Sequence, residues 1–99
     1  MKSVDVNGFK REMNGEYLIL DVRTPEEFGD GHIDGAMLIP VHELESRLTE
    51  IHTFREKKVL VYCRSGARSM VAVGILNENG YQVIVNLNGG YIAWSRFLN

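Results

Sequence analysis

Two short runs, Tyr17-Leu18-Ile19-Leu20 and Val59-Leu60-Val61-Tyr62, are apolar at every position, and they constrain this chain more than any other feature. A strand with no polar face has nothing to turn toward water, so it belongs inside a sheet that is covered on both sides. Gln82 to Leu87 reads as a third strand, Met37 to Ile39 as a short fourth before Pro40, and Ser3-Val4 as a short edge.

Helical stretches lie between these runs. Val6 to Met13 reads as an opening helix closed by Asn14-Gly15. Thr24-Pro25-Glu26-Glu27 has an N-cap threonine, a proline at the first helical position and a glutamate three residues after the cap, the signature of a capping box. His42 to Ile51 places Leu44, Leu48 and Ile51 on one face, as a surface helix does. The helix from Ser69 carries Met70, Val71, Ala72, Val73, Ile75 and Leu76; it is apolar nearly all round and is expected to pack deeply, stopping at Gly80. Gly89-Gly90 introduces a last helix with Tyr91, Trp94 and Leu98 on its apolar face, and Ile92 and Phe97 alongside. Strands alternating with helices predict an α/β fold with a parallel sheet between helical layers, and 99 residues suffice for one domain spanning 1–99.

A hydrophobic content of 44%, a charged content of 24% and a formal charge of -2 describe an ordinary globular protein, with no basic excess to suggest a nucleic-acid partner. No apolar segment is long enough to span a bilayer, and Met1-Lys2-Ser3-Val4-Asp5 lacks the layout of a signal peptide, so a cytoplasmic protein without a membrane partner is expected. His32, His42 and His52 are dispersed and have no cysteine nearby, which gives no metal-ligand pattern; no cofactor is expected.

The only cysteine, Cys63, ends the second apolar run and opens the loop Arg64-Ser65-Gly66-Ala67-Arg68. A thiol at the carboxyl end of a buried strand, with a helix amino end and two arginines beside it, is placed to ionise. Successive backbone N–H groups of such a loop can face one concavity and cradle an anion. Ser65 and Ser69 can each offer a hydroxyl to the sulfur, or Ser69 can cap the helix. With no second thiol, Cys63 cannot form an intramolecular disulfide, so any acceptor comes from outside the chain.

From Leu18 to Trp94 the order Leu20-Asp21-Val22-Arg23, Glu27-Phe28, Gly31-His32-Ile33-Asp34-Gly35-Ala36, Val61-Tyr62-Cys63-Arg64-Ser65-Gly66, Arg68-Ser69, Gly80-Tyr81 and Leu87 to Trp94 resembles a single-domain rhodanese. The resemblance implies a three-layer α/β/α domain with a central, mainly parallel sheet of about four to five strands, and a sulfurtransferase whose Cys63 carries sulfur as a persulfide. It implies a small anionic donor such as thiosulfate, or a persulfide donor that can be a partner protein, and a thiol or cyanide as acceptor. Arg64, Ser65, Gly66, Ala67, Arg68 and Ser69 would bind the donor. Asp34 stands where many relatives carry proline.

Cysteine phosphatases with a similar loop have one residue more before the arginine, enough to surround a phosphoryl group; the shorter loop here resembles the sulfurtransferase branch. A rhodanese-like binding or regulatory module with negligible turnover is the other functional class. Asp21 and Arg23 are read as architectural: a carboxylate beside a thiolate would raise its pKa, and Arg23 is expected to pair with Glu27.

Overall fold

A computed structural model describes residues 1–98, the side chain of Leu98 excepted. In chain order it contains β1 (Lys2–Val4), α1 (Val6–Arg11), β2 (Tyr17–Asp21), α2 (Pro25–Gly29), β3 (Met37–Leu38), α3 (Val41–Leu44), a 3-10 segment (Glu45–Phe54), β4 (Lys58–Tyr62), α4 (Ala67–Glu78), β5 (Val83–Leu87) and α5 (Gly90–Leu98). The strands form one five-stranded sheet in the order β1-β5-β4-β2-β3, and every pairing is parallel. The two all-apolar runs occupy the interior, β4 between β5 and β2, as strands without a polar face require.

Alternation along the strands divides the core. Leu18, Leu20, Val59, Val61 and Ile84 face one side and pack with Leu44, Ile51, Ala72, Val73 and Leu76 of the α3, 3-10 and α4 layer. Ile19, Leu60, Tyr62, Val85 and Leu87 face the other and pack with Val6 and Phe9 of α1 and Trp94 of α5. The result is the three-layer α/β/α arrangement, and it brings the carboxyl ends of β2 and β4 level, Asp21 opposite Tyr62. Cys63 lies one residue beyond. Among the described residues no helix is long and apolar enough to cross a membrane.

Three helices depart from expectation. The opening helix ends at Arg11, with Glu12 as its cap, so Met13 lies beyond it and packs half-buried against the core. The segment expected as one helix over His42 to Ile51 is α3 followed by 3-10 turns, with a break at Arg47 (φ -115°, ψ 15°). Leu44 and Ile51 are buried as expected, because the spacing 44, 48, 51 suits either helix type, and Arg47 pairs with both Glu43 and Glu50 at the break. α4 is not buried all round: Ser69, Ala72, Val73 and Leu76 face the sheet, whereas Met70 and Val71 are 44% and 57% exposed. A helix covering one outer face of a sheet has only one side to bury, whatever its composition. In α5, Trp94 is buried and Phe97 is exposed, while the expected role of the Leu98 side chain lies outside the described residues.

Candidate active site

Cys63 follows the last residue of β4, and its side chain is buried at 1% exposure on the α4 side of the sheet. The chain then reverses through Gly66 (φ 132°, ψ -24°), the N-cap of α4, a conformation open to glycine and strained for any other residue. That turn aims the Gly66 N–H at the sulfur, 3.1 Å away. The Ser69 hydroxyl donates to the Gly66 carbonyl at 3.0 Å. Its single proton can serve that carbonyl or the sulfur, and an ionised sulfur is the stronger acceptor. Burial pushes the Cys63 thiol up, but the Ser69 hydroxyl and the backbone N–H groups of Ser69, Gly66 and Ser65 outweigh it, so the thiol ionises below its ordinary range. The amino end of α4 acts in the same direction.

The loop is gripped from behind by α5. The Tyr91 N–H donates to the Cys63 carbonyl at 2.8 Å and the Ile92 N–H to the Arg64 carbonyl at 3.1 Å. These are first-turn N–H groups of α5, which have no partner within their own helix. A side chain on Gly90 would place its Cβ 2.5 Å from both carbonyl oxygens, so only glycine allows this approach. Gly89-Gly90, expected only to open a helix, also permits this close backbone contact, and the adjacent pair of glycines is its signal in the sequence.

The ion pairs around the loop differ from those expected. Arg68 does not turn toward the sulfur: it makes a bidentate pair with Glu27 of α2, at 2.7 and 2.9 Å. Glu27 also accepts from the Thr24 N–H and hydroxyl in the anticipated capping box. The Arg68 guanidinium, with the Thr24 donors, holds its carboxyl at about 2 despite partial burial. Arg23 therefore does not pair with Glu27. It folds back on Asp21, two residues earlier, with contacts of 2.8 to 3.2 Å, donates to the Gly31 carbonyl at 2.7 Å and lies over the Tyr91 ring at 4.5 Å. Both members are buried, Asp21 at 0% and Arg23 at 4% exposure, which supports an architectural role. Arg64, Ser65 and Ala67 are exposed, and the Arg64 side chain has no hydrogen-bond or ion-pair partner among the described residues.

A cleft of about 250 Å³ adjoins the loop, walled by Arg64, α2 with its C-cap Asp30, Arg23 and α5. A roomier cavity of about 480 Å³, lined by His52, Thr53, Arg55, Glu56 and Lys57, lies ahead of β4 at the opposite end of the sheet, and its larger size gives it no bearing on the chemistry at Cys63.

Fold and site together define an α/β domain with a buried cysteine at the carboxyl edge of a parallel sheet, its sulfur receiving the Gly66 N–H at the start of α4. The chain belongs to the rhodanese-like domain family, which matches residues 5–97. It is 43% identical over 81 residues to a sulfurtransferase of Allochromatium vinosum, covering 82% of this chain and 74% of that protein. The crystal structure of a rhodanese-related protein from Thermoplasma volcanium superposes with a TM-score of 0.86 at 32% identity, covering 98% of this chain and 93% of the other. An NAD-dependent persulfide reductase from A. fulgidus contains a similar unit, with a TM-score of 0.75 and 35% identity, covering 94% of this chain but 16% of that one. At the level of the family, these relatives associate the chain with rhodanese-type sulfur transfer.

Proposed function

We propose that the chain, working as one domain over residues 1–99, is a sulfurtransferase that carries sulfane sulfur as a persulfide on Cys63. The observation that carries this reading is the buried Cys63 sulfur receiving the Gly66 N–H at 3.1 Å at the amino end of α4, an arrangement that lowers the thiol pKa and so favours the thiolate. The thiolate attacks the outer sulfur of thiosulfate. A new S–S bond forms, the bond to the sulfonate sulfur breaks, and sulfite leaves with the electron pair, giving Cys63-S-S⁻. A thiol or cyanide, or a thiol on a partner protein, then removes the outer sulfur.

Each state of this cycle is anionic, and donors fixed before the reaction stabilise all of them. The Arg64 to Ser69 loop, including Ala67, forms the donor site. Arg64 supplies a free cation at the mouth, and Arg68, held by Glu27, contributes its field from the rim. A reducing cytoplasm suits a cysteine that must stay unpaired. One observation favours the alternative of a non-catalytic binding module: the 1% exposure of Cys63, which an inert core cysteine would share.

Intact-mass spectrometry before and after thiosulfate, followed by cyanide, separates the two. Gain of one sulfur that maps to Cys63 and is lost to cyanide is expected. A folded protein with a free thiol that acquires no sulfur from thiosulfate or from a small persulfide overturns the enzymatic reading.

A further inference from the structure

The loop after Cys63 carries two cations, and the fold treats them differently. Arg64 follows the nucleophile directly, and its side chain is unpaired among the described residues. Arg68 lies in the first turn of α4, two residues after Gly66, whose N–H meets the sulfur at 3.1 Å. Its guanidinium is covered by Glu27, with Nη1 donating to Oε1 at 2.7 Å and Nη2 to Oε2 at 2.9 Å. The carboxylate is fixed in its turn, because Oε1 also accepts from the Thr24 N–H at 3.0 Å and from the Thr24 hydroxyl at 3.1 Å. Arg68 is held in its charged form first by Glu27 and further by the negative charges of Cys63 and Asp21, so the guanidinium lies within electrostatic reach of the sulfur. A fixed anion thus stands at the rim of a site whose substrate is itself an anion.

We propose that Glu27 is a specificity-determining residue for the sulfur donor: by neutralising Arg68 it tunes the site to sulfane sulfur carried on a singly charged anion, an alkyl thiosulfonate or a persulfide, rather than on doubly charged thiosulfate. The proposal rests on the sulfur-transfer reading given above. A salt-bridged pair projects little net charge, which leaves Arg64 as the uncompensated cation of the loop. One positive charge suits a singly charged donor. A second negative charge on the donor finds no further cation and is repelled by Glu27. The matched probes are thiosulfate and methanethiosulfonate, which have the same shape, with a methyl group in place of one oxygen, and differ by one unit of charge. The chemistry is common to both. The thiolate forms an S–S bond to the outer sulfur, and the bond to the sulfonyl sulfur breaks with its electron pair going to the leaving group: Cys63-S⁻ + CH3SO2-S⁻ gives Cys63-S-S⁻ + CH3SO2⁻.

The test follows loading by intact mass with each donor, at low ionic strength and at a pH where Cys63 is ionised in every variant, on protein shown to be folded by a thermal melt. Glu27→Gln keeps the shape of the side chain and removes its charge. It is expected to raise the second-order loading rate about threefold with methanethiosulfonate and about tenfold with thiosulfate, because the same change in field acts on one charge in the first and on two in the second. Salt at about 0.5 M is expected to shrink that difference. Glu27→Asp retains the charge on a shorter arm, and the wild-type ratio of the two rates is expected to persist. A ratio unchanged in Glu27→Gln, or shifted as far in Glu27→Asp as in Glu27→Gln, overturns the assignment. A wild-type protein that loads sulfur from neither donor is a different result, since it overturns the persulfide reading itself and this inference with it.

Discussion

The main-chain N–H of Tyr91 donates to the carbonyl of Cys63 at 2.8 Å, so the first turn of α5 fixes the backbone of the nucleophile from the side opposite α4. Two helices that begin at the same sheet edge thus hold one loop, α4 through the sulfur and α5 through the carbonyls. Gly90, with φ +56°, makes the contact possible because a Cβ there would strike both loop carbonyls at 2.5 Å. Gly90→Ala is expected to destabilise the protein by about 2 kcal/mol or more and to slow sulfur loading, because backbone has to move away from backbone. Chemical denaturation and loading kinetics on the same variant check both effects.

Cys63→Ser is expected to abolish sulfur transfer and to change stability by only about 1 kcal/mol, since a serine oxygen can still accept from Gly66 N–H at the same place. Turnover with cyanide, beside a thermal melt, measures the two quantities. A variant that keeps most of the activity would sink the persulfide assignment.

The rate of Cys63 alkylation should rise with pH along a titration centred below that of an ordinary cysteine thiol, because the donors of Ser69, Gly66 and Ser65 lower the folded-state pKa. Ser69→Ala removes the hydroxyl and is expected to move that titration upward while leaving the three backbone contributions in place. The sign for stability follows: a depressed thiol pKa adds stability above the unfolded-state value, and that increment is lost as pH falls through the folded-state value.

Glu27 is held at about 2 by Arg68, against an ordinary value of 4.5. The pair therefore contributes its full stabilisation above about 4.5 and loses it progressively as pH falls toward about 2. Glu27→Gln is expected to cost roughly 1–2 kcal/mol at pH 7, after discounting for solvent screening of side chains that are 34% and 23% exposed, and to flatten the acid limb of the stability curve. Urea melts at pH 7 and pH 3 give the comparison.

Removing one partner of the buried Asp21–Arg23 pair should be harsher. Arg23→Ala leaves a carboxylate at 0% exposure without its guanidinium, and a loss of about 3–5 kcal/mol is expected by denaturant titration.

Much of this architecture was legible in the chain. The apolar runs announced the inner strands, since a run without alternation is buried on both sides, and Thr24-Pro25-Glu26-Glu27 announced α2 down to its capping box. The placement of Cys63 between a buried strand and a glycine turn that opens a helix could be read because strand, loop and helix follow one another directly. The pairing of Arg68 with Glu27 could not, because the partners are 41 residues apart and meet only when β2 and β4 lie side by side. Proximity in sequence instead suggested Arg23 with Glu27, and the true partner of Arg23 was closer still. The exposure of Met70 and Val71 was equally hidden, because composition reports how apolar a helix is and not how many of its sides find a neighbour.

The lengths of the outer strands have a consequence for how the chain behaves in company. β1 has three residues and β3 has two, so the sheet presents only stubs at its margins, while the long apolar strands β4 and β2 are enclosed. A stub offers too few free main-chain groups to template the growth of another chain's strand. The sequence segments most prone to amyloid-like stacking are thus shut away for as long as the fold persists, and protection against self-association depends on the stability of the domain rather than on charges placed along an edge.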